Sequence, residues 1–210
     1  MLRRIRAPLR RPQRPRLLAS RPHVPTIAVA GTEPGAGATT VAVELSAALS
    51  LKGRRVALTQ VGGATAQTVR LALEADGSHA RTGLRVAAGD RHADSDCVVL
   101  DLGSRRSITR ADLALLVSPA GRATAAPAQL GAQHMHLIVN RDRALSPADD
   151  SGLLRVPEDL SVPAAQAAGE PVIVQFPRSR AALAFRRLAD AVDPSHPGPW
   201  QDSSGVPPAG

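Results

Sequence analysis

A glycine-rich turn lies between a strand-like run and a helix-like run near the start of the chain, and it constrains the fold more than any other feature. Residues 27–30 are apolar and read as a short buried strand, and residues 39–51 carry apolar side chains at helical spacing. Between them, Gly35 and Gly37 can adopt backbone conformations closed to other residues, so the turn can curl its N–H groups around an anion. This order of elements is typical of a phosphate-binding loop.

The loop lacks the side chain that normally opposes phosphate charge. The position of the loop lysine is occupied by Ala38, which cannot reach the β and γ phosphates. The next residue, Thr39, keeps a hydroxyl that can reach Mg²⁺, although Thr39 and Thr40 can also be read simply as helix-capping residues. The sequence therefore predicts a nucleotide-site scaffold with impaired phosphate chemistry.

Positive charge is concentrated at the N-terminus. Eight of the 26 basic residues precede the first acidic residue, Glu33, which leaves 18 basic residues to balance 18 acidic ones. Residues 1–25 alternate Arg with Pro and are predicted to form a disordered basic arm. The arm is read either as a contact for nucleic acid or anionic membrane, or as a solvated or misannotated start. Residues 194–210, rich in Pro, Gly and Ser, are predicted to be a disordered tail.

Cysteine usage and hydropathy indicate the compartment. The single cysteine, Cys97, lies in an apolar run and is expected to be a buried structural thiol in a reducing cytosol. No apolar run approaches the ~18 residues that a membrane span requires, and the basic arm lacks the apolar core of a secretory signal. We therefore expect a cytoplasmic protein.

Residues 26–193 are predicted to form one α/β domain, with a mostly parallel sheet and helices on both faces. A compact strand, helix and strand order at its start indicates a right-handed parallel crossover. A carboxylate, Asp101, ends an apolar central strand, at the sheet edge where open α/β folds bind ligands. The predicted strands are 27–30, 54–61, 97–103, 113–117, 136–141 and 153–157, and the predicted helices are 39–51, 65–75, 123–132, 162–168 and 179–192, with a loose polar segment up to Asp94 and a loop at 145–151.

Four separated pieces of the chain, in order, resemble the MinD/ParA family of deviant Walker-A ATPases over about residues 26–193. These pieces are the loop 33–40, the strand ending at Asp101, the pair Asn140-Arg141 at the end of a strand, and the segment 156–159 followed by 168–172 and 177–185.

The resemblance implies an ATP or ADP site with Mg²⁺. Asn140 would read the adenine, and Thr39 and Asp101 would support the metal ion. In the family the subunits dimerise face to face across nucleotide, so a homodimer is expected. The cofactor-binding residues implied in this way are Gly35, Ala36, Gly37, Ala38, Thr39, Thr40, Asn140, Arg141, Pro157 and Glu158.

The chain departs from the family pattern at charged positions. The family's signature lysine corresponds to Glu33, and two acidic positions correspond to Gln60 and Gly62. With Ala38, these changes predict weak nucleotide binding, little hydrolysis and no catalytic residue. Alanine at Ala38 beside retained threonines is similar to the CpaE/TadZ branch, whose members are localisation factors in pilus assembly. We therefore expect a scaffold with a partner in a polar or pilus machinery, cytoplasmic or peripheral at the inner membrane face.

Two other functions fit parts of the sequence. One is an active ParA/MinD-type ATPase in chromosome or plasmid partition or in division positioning, with the basic arm as its DNA contact. The other is a ligase similar to dethiobiotin synthetase, suggested by Gly31-Thr32-Glu33 before the glycine loop. That enzyme needs the loop lysine and further lysines, whereas this chain has only Lys52.

Overall fold

The structure is a computed structural model, and the part of the chain that it describes comprises residues 23–61, 71, 73, 76–87, 94–104, 108–120, 130–142 and 154–195. Most of the predicted helix 65–75, the predicted loop 145–151, and nearly all of the predicted basic arm and C-terminal tail lie outside these residues.

Seven parallel strands form one sheet, in the order β3-β2-β4-β1-β5-β6-β7. The carboxyl ends of all these strands therefore meet at one edge. The strands are β1 Thr26–Gly31, β2 Val56–Gln60, β3 Arg85–Ala87, β4 Cys97–Asp101, β5 Ile108–Pro119, β6 Leu130–Asp142 and β7 Leu154–Pro157.

Four helices are described, and they pack against one face of the sheet in a single apolar cluster. The last of them is capped by Ser179, whose hydroxyl accepts a hydrogen bond from the N–H of Ala182 at 3.1 Å. The helices are α1 Ala38–Leu51, α2 Ser161–Ala167, α3 Val172–Gln175 and α4 Arg180–Val192.

Strand β1 is buried on both faces, as the central strand of a parallel sheet must be. Ile27 and Val29 face the helices, whereas Ala28 and Ala30 belong to a second, smaller cluster on the opposite face. The phosphate-loop candidate follows β1 directly, so the loop starts from a buried central strand. The predicted single α/β domain with a parallel sheet is confirmed.

Two secondary-structure predictions were wrong in part. The end of the predicted helix 123–132 belongs to β6, because Ala132 pairs with Ala111 of β5. The rest of that predicted helix lies outside the described residues. The supposedly loose segment before Asp94 contains β3, whose Val86 pairs with Leu58 of β2. In both cases pairing with a neighbouring strand, which sequence patterns do not report, decides the conformation.

The described chain begins with contacts to the sheet. The imidazole of His23 lies 2.8 Å from a carboxylate oxygen of Asp112, and the carbonyl of Pro25 accepts the N–H of Val98 at 2.9 Å. Contacts with the domain thus start three residues before the predicted boundary at residue 26. Of the helices described, none combines the length and apolar character needed to cross a bilayer.

Candidate functional site

The glycine-rich loop joins the carboxyl end of β1 to the N-terminus of α1. The N–H of Ala36 donates to the carbonyl of Glu33 at 3.2 Å, which closes the turn, and the N–H of Gly31 donates to the carbonyl of Gly103 at 2.7 Å. Gly35 and Gly37 have φ values of 80° and 95°, in the left-handed region that favours glycine. The loop therefore adopts the curled conformation that the sequence predicts.

Gly37 is required for a second reason, which is space. It is the N-cap residue of α1, and a Cβ atom at this position would collide with the side-chain amide of Asn140. At Gly35, in contrast, a Cβ atom would meet no other atom within 4 Å. The close approach of β6 to the loop thus depends on glycine at Gly37 specifically.

The end of strand β6 holds the loop through two consecutive side chains. The amide of Asn140 donates to the carbonyl of Ala36 at 2.8 Å and accepts the N–H of Arg141 at 3.0 Å. The guanidinium of Arg141 donates to the carbonyl of Gly35. Arg141 has a φ of 55°, a left-handed conformation that is uncommon for a residue other than glycine. The Asn140-Arg141 pair and the loop, 104 residues apart in sequence, therefore form one site.

A cavity of about 610 Å³ opens beside the loop. All ten residues predicted to bind the cofactor line it, from Gly35–Thr40 through Asn140 and Arg141 to Pro157 and Glu158. Its volume falls within the range of small-molecule sites, about 300–1,000 Å³. The structure thus brings together residues that the sequence analysis had placed in three separate segments.

The cavity wall has polar and apolar parts. The loop backbone and the Asn140-Arg141 pair contribute polar surface, whereas Leu160, Val162 and Phe185 contribute apolar surface from the chain after β7. A ligand with both a phosphate group and a flat apolar base matches this mixed lining.

Several cavity residues were missed by sequence reasoning. They are Gly103 and Ser104 after β4, and Leu160, Val162, Pro163, Gln166 and Phe185 on and around the C-terminal helices. Gly103 and Ser104 could have been found, because they follow Asp101 at the carboxyl edge of the sheet. The others had no signal, since Leu160 precedes the predicted helix 162–168 and the remaining side chains occupy ordinary positions of predicted helices. The amide of Gln166 donates to the hydroxyl of Thr40 at 3.3 Å, which ties α2 to the start of α1.

Asp159 lines the cavity and caps two helices. Its carboxylate accepts the N–H groups of Ser161 at 2.9 Å and Ala181 at 3.1 Å, so one side chain serves the first turns of both α2 and α4. Partial burial alone would raise the pKa of Asp159, but these hydrogen bonds together lower it below the ordinary value. The group is therefore ionised at neutral pH and adds negative charge to the cavity wall.

The two residues proposed for Mg²⁺ lie at different depths. Thr39 lines the cavity, whereas Asp101 is 2% exposed and does not. The Asp101 carboxylate accepts the amide of Gln60 and the N–H of Gly103, both at 3.0 Å. Thr39 therefore lies at the cavity wall, whereas Asp101 contacts Gly103, which lines the cavity. The described residues contain no cluster of three or more His, Cys, Asp or Glu suited to a metal ion.

Comparison with solved structures identifies the architecture. MinD from Pyrococcus horikoshii, complexed with Mg-ADP, superposes with a TM-score of 0.57 at 20% identity, covering 82% of this chain and 97% of that one. MinD from Aquifex aeolicus gives a TM-score of 0.59 at 17% identity, with 83% and 99% coverage. A ParA family ATPase from Chlorobium tepidum gives 0.54 at 14% identity, with 79% and 97% coverage.

The chain has the fold of the MinD and ParA P-loop ATPases. At 20% identity or less, this likeness establishes the fold and leaves the activity to be argued from the cavity itself. No protein-family model matches the chain, and no curated protein matches it.

Proposed function

We propose that this protein binds an adenine nucleotide with Mg²⁺ weakly, hydrolyses it little, and acts as a localisation or assembly scaffold of the CpaE/TadZ kind. The observation that carries the proposal is a complete nucleotide-sized cavity around the glycine loop in which Ala38 occupies the lysine position. The cavity is intact, whereas the side chains for phosphate chemistry are missing.

Nucleotide binding is supported by the lining of the cavity. The loop curls at the cavity wall and α1 begins there, so main-chain N–H groups and the helix dipole favour phosphate. Asn140, which the family resemblance assigns to adenine, and Pro157 line the same cavity. Thr39 would hold Mg²⁺, and bound Mg²⁺ would supply positive charge against the phosphates. These features fit ATP or ADP.

Weak hydrolysis is supported by the side chains at the loop. Ala38 and Glu33 occupy the two lysine positions of the family pattern, and neither supplies positive charge. Gln60, at one of the acidic positions, hydrogen-bonds to Asp101. Each lost charge-assisted contact costs about 1.5–3 kcal/mol, and catalysis of phosphoryl transfer relies almost wholly on such contacts. We therefore assign no catalytic residue.

The scaffold role and its setting are drawn from the family resemblance. On this proposal the protein works in the cytoplasm or at the inner face of the membrane, as a homodimer or with a protein of a polar, pilus or partition machinery. The arginines of residues 1–22 would add a contact to nucleic acid or anionic lipid. Deleting residues 1–22 should then abolish any binding to DNA that weakens with salt.

Titration calorimetry of ADP and Mg²⁺ on the full chain tests nucleotide binding. Ala38→Lys restores the loop cation and should tighten ADP binding about ten- to hundredfold. Ala168→Lys, which adds the same charge at an exposed position outside the cavity, is the matched control and should have no effect. Absence of binding by both the wild type and Ala38→Lys would overturn the proposal.

A second candidate is an active ParA/MinD-type ATPase, favoured by the intact loop and by Thr39 in the cavity wall. Sustained ATP turnover that is lost in Thr39→Ala would establish it in place of the scaffold. A ligase similar to dethiobiotin synthetase has less support. Lys52 follows the C-terminal end of α1, about 21 Å from the loop, and pairs with Asp190 and Asp193 at 2.9 and 3.0 Å.

A further inference from the structure

Arg141 places a cation at the loop, on a different element from the usual lysine. Among the lining residues that the structure describes, Arg141 is the only arginine or lysine, while Glu33, Glu158 and Asp159 carry carboxylates. Binding a polyanionic ligand among these carboxylates would be electrostatically unfavourable unless a cation lay close to the ligand. Since Ala38 supplies none, the charge must come from another residue or from the bound metal ion.

The guanidinium of Arg141 lies at the glycine loop. It donates to the carbonyl of Gly35, within the loop that is proposed to hold phosphate. Arg141 lies near the end of strand β6 with a left-handed backbone at φ 55°, and the side chain of Asn140 accepts its N–H. The backbone of Arg141 is therefore fixed by a hydrogen bond, while Arg141 itself is exposed to solvent.

We propose that Arg141 is the phosphate-binding cation of this cavity, and that its guanidinium exchanges the Gly35 carbonyl for a phosphate oxygen when a nucleotide binds. This inference rests on the proposed nucleotide binding and adds the residue that neutralises the ligand. The position of the charge differs from that of a loop lysine, because Arg141 belongs to β6 and reaches the loop from outside.

The exchange is chemically favourable. A guanidinium has five donors in a planar fork that matches phosphate oxygens, and a hydrogen bond to an anion is stronger than one to a neutral carbonyl. Gly35 is exposed, so water can replace the guanidinium at its carbonyl. The guanidinium can therefore leave the Gly35 carbonyl with little loss of loop stability.

A series of variants on the full chain separates charge from hydrogen bonding. Arg141→Ala removes both, Arg141→Gln keeps a donor without charge, and Arg141→Lys keeps the charge. The control is Arg186→Ala, because Arg186 also donates to a backbone carbonyl, that of Pro177 at 2.7 Å, but does not line the cavity. Each variant is titrated with ADP and Mg²⁺, and separately with adenosine, which has the base but no phosphate.

We expect Arg141→Ala and Arg141→Gln to weaken ADP binding about ten- to hundredfold. Arg141→Lys should bind ADP more tightly than Arg141→Gln, and Arg186→Ala should match the wild type. Adenosine binding should be unchanged in every variant, since the proposed contact is to phosphate.

Three results would overturn the inference while leaving nucleotide binding intact. Wild-type ADP affinity in Arg141→Gln would show that the hydrogen bond to the loop is what matters. An equal loss of ADP and adenosine binding in Arg141→Ala would indicate a contact with the base. An equal effect of Arg186→Ala would indicate general surface charge. If the wild type binds neither ADP nor adenosine, the proposed function itself fails.

Discussion

The side-chain amide of Asn140 donates to the carbonyl oxygen of Ala36 at 2.8 Å, so the end of strand β6 is fastened to the middle of the glycine loop. Asn140 is 5% exposed, and its oxygen accepts the N–H of the next residue. Both ends of the amide are therefore used inside the protein. The geometry makes Asn140 a support of the loop.

Replacing Asn140 by Ala should destabilise the protein. The change leaves the buried carbonyl of Ala36 without this donor, at a cost of about 1–3 kcal/mol. Urea unfolding measures the loss. Gln166→Ala is the comparison, since Gln166 also lines the cavity but its bond to Thr40 is longer, at 3.3 Å, and only part-buried. A cost for Asn140→Ala no larger than that for Gln166→Ala would show that the contact with the loop contributes little.

Gly37→Ala should cost more than Gly35→Ala. Both glycines have positive φ, so each substitution incurs the left-handed penalty of about 1–2 kcal/mol. Only at Gly37 does the added methyl group collide with Asn140, which adds about 1–3 kcal/mol of overpacking. The difference between the two free energies of unfolding isolates the collision. Equal costs would mean that β6 moves away from the loop easily.

Sequence patterns predicted the glycine loop of the site but only some of the other residues that line the cavity. The positions of Gly35, Gly37 and Thr39 follow from local rules on strand, turn and helix, and Asp101 from an apolar run ended by a carboxylate. Leu160 and Phe185 could not be assigned, because their place in the cavity results from how α2 and α4 pack on the sheet. Local sequence patterns do not predict packing between elements that are distant in sequence.

The same limit explains the secondary-structure errors. Strand β3 has three residues, Arg85–Ala87, and it is extended because it pairs with β2. Strand β5 runs over Ile108–Pro119, well beyond the predicted 113–117, because β6 accompanies it. Pairing partners distant in sequence thus extend strands past what their own residues indicate.

Asp193→Asn should destabilise the protein in a pH-dependent way. The carboxylate is 1% exposed and pairs with Lys52 at 3.0 Å and Arg54 at 3.1 Å. Burial raises its pKa, but hydrogen bonds from Ser195 and Lys52 outweigh this and lower the pKa from 3.8 to about 2. Because the folded-state pKa is depressed, the ionised carboxylate stabilises the fold above pH 3.8, and this contribution is lost as the pH falls towards 2.

At pH 7 the substitution should cost about 2 kcal/mol, and the difference from the wild type should shrink between pH 4 and about 2. Denaturant titrations at several pH values measure both. Asp190→Asn is the control, since this carboxylate is 67% exposed and pairs with the same Lys52, and it should cost under about 1 kcal/mol. A pH-independent difference for Asp193→Asn would contradict the assigned ionisation.

The free energy of unfolding of the wild type should fall as the pH rises, because of Glu44. Glu44→Gln should remove this pH dependence. Glu44 lies in α1, is 2% exposed, and accepts the N–H groups of Val172 at 2.7 Å and Ile173 at 3.4 Å. Burial raises its pKa from 4.5 to about 7, although these hydrogen bonds oppose the shift. The folded state therefore holds a proton that the unfolded state releases at lower pH.

A raised carboxyl pKa stabilises the fold fully below the unfolded value of 4.5, and the benefit is lost as the pH rises to about 7. The wild type should thus lose about 3 kcal/mol over this window through Glu44. The glutamine variant keeps an acceptor for Val172 and cannot ionise, so the difference in unfolding free energy between the two proteins should change by that amount between pH 4.5 and 7. Parallel pH profiles would show that Glu44 is ionised throughout, and that α1 and α3 hold a buried charge between them.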